Sequence, residues 1–209
     1  MIPDSPVVFV VDDDLGVREA LSRLISSAGL AVLAFPSATD FLAAEKPDAP
    51  CCLLLDLRLP GIGGLELQQQ LAGANAPPII FMTGNGDIPS TVRAMKAGAV
   101  EFLSKPFGDE ELFRAIESAI DLDRAVRQRR SELIELRTRY DLLTPREREV
   151  LPFVIAGFAN KQVAGELGTA ENTIAVHRAQ ILRKMQSRSL AELVRIADRL
   201  GIWPAHLQK

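Results

Sequence analysis

Polar side chains recur just beyond apolar runs in the first half of the chain. Asp12, Asp13 and Asp14 follow VVFVV, Asp56 follows CCLLL, Thr83 follows IIFM, and Ser104 and Lys105 follow VEFL. Gathered carboxylates repel one another unless a cation lies among them. Hard oxygen ligands that leave positions open to water suit Mg²⁺, which commonly takes one or two carboxylates plus phosphate oxygens. Lys105 adds a compact positive charge and Thr83 a hydroxyl, both matched to the oxygens of a phosphoryl group. The set is suited to phosphoryl transfer onto a carboxylate, with Asp56 attacking in line to give an aspartyl phosphate. Each part alone has a plainer reading: Asp12 to Asp14 as a solvated turn with Asp14 capping the next helix, Lys105 as a surface lysine, Thr83 as a loop hydroxyl. Their shared position after four separate apolar runs favours a site.

Such side chains need a frame that carries distant segments to one edge. Residues 1–121 alternate between short β-rich runs and helical patterns, with strands at 7–11, 30–35, 51–55, 79–82 and 100–103 and helices at 17–28, 38–44, 65–72, 90–97 and 110–120. Gly29, Gly73 and Gly98 stand where helices should end. Five βα units in order imply an α/β fold, a doubly wound parallel sheet with helices on both faces. Functional groups in such sheets collect at the carboxyl ends of the strands, which accounts for an apolar run, LLLDLRLPG, that stops on an aspartate. Cys51 and Cys52 are adjacent in a strand and face opposite sides, so they read as small buried hydrophobes.

The net charge of −3 conceals a division. Residues 1–123 hold 8 Lys and Arg against 18 Asp and Glu, whereas residues 124–209 hold 16 against 9. An acidic front and a basic back point to two domains with different partners, the second a polyanion. No run approaches the roughly 18 apolar residues of a membrane span, and MIPDSPVV lacks the basic start and apolar core of a signal peptide. The expectation is a cytoplasmic protein with no membrane association.

From about residue 121 the chain turns charged and helical. Leu122, Val126, Leu133, Leu136, Tyr140 and Leu143 recur at three- and four-residue steps, interrupted only at Arg129, as one apolar seam that either packs on its own domain or forms a dimer coiled coil. Thr144, Pro145 and Glu147 then supply an N-cap, a first-turn proline and the second half of a capping box. Residues 144–201 read as four helices. A helix over 161–167, a turn at Gly168 and a helix running to Met185 have helix-turn-helix spacing. At about 100° per residue, Ile174, His177, Ile181 and Met185 share a core face. Asn172, Val176, Ala179 and Arg183 lie opposite, flanked by Thr173, Ala175 and Gln180. His177 reads as a packed histidine, and Arg178 can lay its stem along the core edge and reach a phosphate.

VVDDD, LLLDLRLPG, FMTG and EFLSKPF, in that order over residues 5–122, resemble the landmarks of the receiver domain of two-component response regulators. The resemblance implies a flavodoxin-like (βα)5 fold and Asp56 as phosphoacceptor from a sensor histidine kinase. It further implies Mg²⁺ held by Asp13, Asp56 and the backbone carbonyl of Arg58, with Asp12 assisting through a water. Thr83 and Lys105 would contact the phosphoryl group, Phe102 would be the aromatic switch that swings as Thr83 moves, and the Lys105–Pro106 bond would be cis. Many relatives carry Tyr at the Phe102 position.

LTPREREVL, NKQVAGELG and NTIAVHRAQILRKM resemble the LuxR-type output domain. By that resemblance Lys161, Thr173, Arg183 and Lys184 would contact DNA phosphates, while Ala175, Val176, Ala179 and Gln180 would face base edges, and the final helix from Ser189 would serve dimerisation. Many relatives have Lys at the Ala175 position and a basic residue at Ala179. Small apolar residues can touch thymine methyls but give no bidentate reading of guanine.

The two resemblances together predict a FixJ/NarL-like regulator: a receiver over residues 1–122, a linker helix over 123–142 and an all-α, four-helix DNA-binding domain over 143–209. Phosphorylation would favour a homodimer that binds DNA and, with RNA polymerase as a partner, regulates transcription. Two rival expectations share parts of the same pattern. One is a phosphate-ester hydrolase, whose second acid would stand where this chain has Arg58, and the other a DNA-binding protein with an inert receiver.

Overall fold

A computed structural model of the chain describes residues 5–73, 76–84 and 88–203, without the side chains of 88–90. The part of the N-terminal expectation that rests on residues 1–4, and residues 204–209 of the expected last domain, lie outside the described residues.

Five strands, β1 (Val7–Val11), β2 (Ala31–Phe35), β3 (Cys51–Asp56), β4 (Ile79–Thr83) and β5 (Glu101–Ser104), form one sheet of order β2-β1-β3-β4-β5. Every pairing is parallel. The strands alternate with α1 (Leu15–Ser27), α2 (Ala38–Ala43), α3 (Gly64–Gln70) and α4 (Ile88–Lys96), and α5 (Asp109–Asp141) follows β5. Successive strand residues serve opposite faces. Val7, Phe9, Val11, Leu53, Leu55 and Phe81 pack with Phe41 of α2 and Leu67 of α3, whereas Val8, Val10, Leu54, Ile80 and Met82 pack with Ile25 of α1 and Leu112 and Ile116 of α5. Burial on both sides explains why the central strands β1, β3 and β4 read as continuous apolar runs. Cys51 and Cys52 are free and buried, one in each face, and burial pushes the Cys51 thiol up to about 11.

The expected helix at 110–120 and the expected linker helix are one element, since α5 runs unbroken for 33 residues. The segment contains neither Gly nor Pro. Its polar surface carries pairs at helical spacing, such as Arg127–Asp123 and Arg139–Glu135, of the kind that support an exposed helix.

The chain divides into two compact units, Met1–Arg127 and Gln128–Lys209, and each is described by itself. In the second, α6 (Pro145–Ile155), α7 (Asn160–Glu166), α8 (Glu171–Lys184) and α9 (Leu190–Arg199) close over Val150, Val154, Val163, Ile174, Ile181, Met185 and Leu193. The apolar seam splits: Leu136, Leu143 and Tyr140 join this core, while Leu122, Val126 and Leu133 are exposed. Among the described residues, no helix is long and apolar enough to cross a membrane.

Candidate functional site

Strand register builds the first site. Val11 pairs with Leu55, Asp56 with Met82, and Thr83 with Ser104, so Asp12, Asp56, Thr83 and Lys105 all emerge at the carboxyl edge of the sheet. Lys105 Nζ bridges two of them, donating to Asp12 Oδ2 at 2.6 Å and to Asp56 Oδ2 at 2.6 Å. The other oxygen of each acid is also used: Asp12 Oδ1 accepts from the Asp14 N–H at 3.0 Å, and Asp56 Oδ1 accepts from the Arg58 N–H at 2.7 Å. Asp14 itself caps α1 by accepting from the Val17 N–H.

Burial decides the electrostatics. Asp12 is almost wholly enclosed, at 1% exposure, whereas the Asp56 side chain keeps an opening to solvent at 13%. Burial raises the Asp12 carboxyl above its ordinary value and the neighbouring Asp56 charge adds to this, against the opposing pull of Lys105 and the Asp14 N–H. Burial depresses Lys105, but the two carboxylates outweigh it and hold the ammonium above its usual range. The lysine is thus the cation that lets two acids sit together.

The remaining candidates of the first unit fall around this bridge. Thr83 is buried at the end of β4, and its carbonyl accepts from the Lys105 N–H at 2.7 Å. Phe102 is half-buried on β5 against the core that holds Phe81, and the Lys105–Pro106 bond is cis. Asp13 and Arg58 are exposed on the loops flanking the two acids. Among the described residues no three His, Cys, Asp or Glu side chains converge as a cage for a metal. A site of one or two carboxylates completed by a carbonyl, water and phosphate oxygens is the Mg²⁺ type and needs no such cage. Two acids facing one lysine fit that type, with Asp56, Asp13 and the Arg58 carbonyl as the residues able to hold the ion and Asp12 able to act through a water.

Residues outside the sequence motifs also hold the site and the sheet that carries it. Gly64, the first residue of α3, lies so close to β3 that a Cβ there would meet the Asp56 carbonyl at 2.5 Å. The Arg18 guanidinium donates to the Asp12 carbonyl at 2.8 Å. At the opposite end of the sheet, Asp123 of α5 is buried, accepts from the Cys51 N–H at 2.9 Å and pairs with Arg127, which also reaches Asp48. The only signal for Gly64 was its place in PGIGG. Asp123 looked like any other acid on a charged helix.

In the second unit, α8 presents two faces. Ile174, Ile181 and Met185 are fully buried and His177 is half-buried, while Thr173, Val176, Ala179 and Arg183 are exposed, with Ala175 and Gln180 partly so. Lys161 is exposed at the start of α7. Two cations expected to reach phosphates turn inward instead. Lys184 Nζ donates to Glu147 Oε2 at 2.7 Å, and Arg178 donates to the Phe158 carbonyl at 3.1 Å and to Asn160 Oδ1 at 3.2 Å. For Lys184 the reason is the capping box: Glu147 is buried at 4% exposure while accepting the Thr144 N–H, and a buried carboxylate needs a counter-charge. Burial pushes Glu147 up, yet Lys184 and Thr144 outweigh it and hold the carboxyl below its usual range. Arg183 lies outside this network and forks onto Gln180 Oε1, with Nε at 3.0 Å and Nη2 at 2.8 Å.

Comparisons with known proteins agree across both units. The family model for the response regulator receiver domain matches residues 8–117, and that for bacterial regulatory proteins of the luxR family matches residues 141–197. Nodulation protein W of Bradyrhizobium diazoefficiens is 48% identical over 204 residues, covering 97% of this chain and 90% of that protein. The transcriptional regulatory protein FixJ of Azorhizobium caulinodans is 44% identical over 207 residues, covering 98% of this chain and 97% of its own. Among solved structures, the response regulator StyR superposes with a TM-score of 0.84 at 49% identity, over 93% of this chain and 99% of that one.

Proposed function

Because the chain belongs to the two-component response regulators that join a receiver domain to a LuxR-type DNA-binding domain, we propose that Asp56 is its phosphoacceptor and that phosphate on Asp56 controls dimerisation and DNA binding. In outline, the receiver spans residues 1–122, the linker 123–142 and the output domain 143–209. The observation that carries this reading is the Lys105 bridge between Asp12 and Asp56, which leaves Asp56 the more open of the two acids.

The donor is a phosphohistidine of a sensor kinase. An Asp56 oxygen attacks phosphorus in line, the N–P bond breaks, its electron pair returns to the imidazole, and an O–P bond to Asp56 forms. A bound Mg²⁺ supplies charge neutralisation at the transferring oxygens. Phosphorylation takes Asp56 from one negative charge to about two and adds acceptor oxygens. Lys105 then releases Asp12 for the phosphoryl group, Thr83 donates its hydroxyl to it, and Phe102 moves into the space Thr83 leaves. The chain accepts phosphate for signalling and is not an enzyme acting on a separate substrate.

In the output domain, Lys161, Thr173 and Arg183 face phosphates while Ala175, Val176, Ala179 and Gln180 face bases. A two-fold dimer sets two α8 helices at half-sites about one helical turn apart and brings them to RNA polymerase in the cytoplasm. The test is incubation of the full chain with acetyl phosphate and Mg²⁺, read by intact mass and by DNA affinity. One phosphate is expected on the wild type and none on Asp56→Asn or after EDTA. Phosphate on another residue, or DNA affinity and dimer fraction that ignore phosphorylation, overturns the proposal.

A further inference from the structure

The fork from Arg183 onto Gln180 fixes what Gln180 can say to a base. A glutamine reads adenine by using both ends of its amide: the oxygen accepts from the base N6 amine while the nitrogen donates to N7. Here Gln180 Oε1 already receives two N–H groups of Arg183, one turn further along the outer face of α8. Arg183 has no acceptor, so the amide orientation follows from chemistry, with the oxygen toward Arg183 and the NH₂ outward. A charged, forked donor is the strong kind of hydrogen bond, and it gains strength when a partner surface closes over it and excludes water. The side chains next to Gln180 on this face, Val176, Ala179 and Ala175, have no hydrogen bonds to give, and the Thr173 hydroxyl lies two turns away. Arg178 and Lys184 are engaged inward.

We infer that Gln180 is a donor-only reader whose oxygen is masked by Arg183, so that each half-site contains one position at which guanine or thymine is favoured over adenine. In the major groove, guanine offers N7 and O6 and thymine offers O4, all acceptors, while adenine pairs its N7 acceptor with an N6 amine that finds no acceptor on Gln180. Gln180 is on this view a specificity-determining residue and Arg183 the residue that positions it. The inference rests on the output domain binding DNA through α8, and its test separates the two.

The experiment is selection from a randomised DNA pool by the phosphorylated full chain, repeated with Gln180→Ala and with Arg183→Met, followed by titration of the selected sites across a salt series. The wild type is expected to fix guanine or thymine at one position per half-site. Gln180→Ala should lose that preference at that position alone, with the other positions retained. Arg183→Met should admit adenine there about tenfold more readily, because the freed oxygen restores the two-ended contact. If Arg183→Met keeps the wild-type preference and only weakens binding to all sequences, with the salt slope lower by about one, Arg183 serves DNA phosphate alone without positioning Gln180, and the inference is overturned. If Gln180→Ala changes no position, Gln180 reads nothing and the inference likewise falls, while a wild type that enriches no sequence at all instead sinks the DNA-binding reading beneath it.

Discussion

Changing Lys184 to methionine tests whether this cation serves the protein interior or DNA. Methionine keeps the stem and removes the ammonium, leaving Glu147 Oε2 its bond from the Thr144 N–H but no counter-charge. Breaking a fully buried ion pair costs about 3–5 kcal/mol, and an exposed pair contributes about 0–1 kcal/mol. This pair lies between, with side chains 19% and 5% exposed, and the retained cap bond softens the loss, so about 2 kcal/mol is expected. For a unit of this size each kcal/mol lowers Tm by about 4–8 °C. The assay is thermal and urea unfolding of the full chain followed by far-UV circular dichroism and by amide hydrogen exchange in α6 and α8, which reports the second unit. Glu147→Gln together with Lys184→Met removes the stranded charge but keeps an acceptor for Thr144, and should recover about half the loss. Since the folded carboxyl of Glu147 is depressed, its contribution is present above its ordinary value of 4.5 and disappears as pH falls through the lower folded value. The reasoning is refuted if Lys184→Met unfolds within about 0.5 kcal/mol of wild type, or if the double variant is no more stable than the single one. A salt slope for DNA binding lowered by about one, with stability intact, would return Lys184 to the phosphate contacts.

Four further outcomes are expected. Lys105→Met should tighten Mg²⁺ binding several-fold in calorimetry, because the ion no longer competes with an ammonium, while slowing phosphorylation by acetyl phosphate. The Lys105 pair should stabilise the wild type up to about pH 10.5 and be lost as pH rises through its raised value, which stability measured against pH would show. Asp123→Ala should cost the first unit about 2 kcal/mol in urea unfolding, since it strips an acceptor from the buried Cys51 N–H and a partner from Arg127. Leu133→Gln should leave stability within about 0.5 kcal/mol because the side chain is exposed, and a larger loss in melting would mean that something covers it.

The sheet was legible because its three central strands, β1, β3 and β4, are buried on both faces and therefore spelled as unbroken apolar runs, and each of those runs stops on a polar residue at the edge where the acids and Lys105 meet. The second unit announced itself through the Thr144–Glu147 capping box and the core stripe of α8. The unbroken α5 was not legible as one element, because a charged helix without Gly or Pro gives no sign of where one unit's helix ends and the next begins. Nor were the inward turns of Lys184 and Arg178. Sequence spacing puts Arg178 at the edge of the core face with its head free to reach a phosphate and gives Lys184 no inward partner, and only three-dimensional packing reveals that Glu147 is buried and that the Phe158 carbonyl lies within reach. Arg183 and Gln180, three residues apart, could have been paired from helical spacing, but nothing in spacing says which end of the amide is taken.

The closeness of Gly64 to β3 bears on how loss of signalling would map onto the chain. A methyl group at position 64 would collide with the carbonyl of the very residue expected to carry phosphate and with the Phe81 ring at 3.1 Å. Glycine-to-alanine there should therefore yield protein that accepts phosphate poorly although every acid, hydroxyl and amine remains in the chain. A genetic screen for silent receivers ought to return position 64 beside position 56, one for want of room and the other for want of a nucleophile.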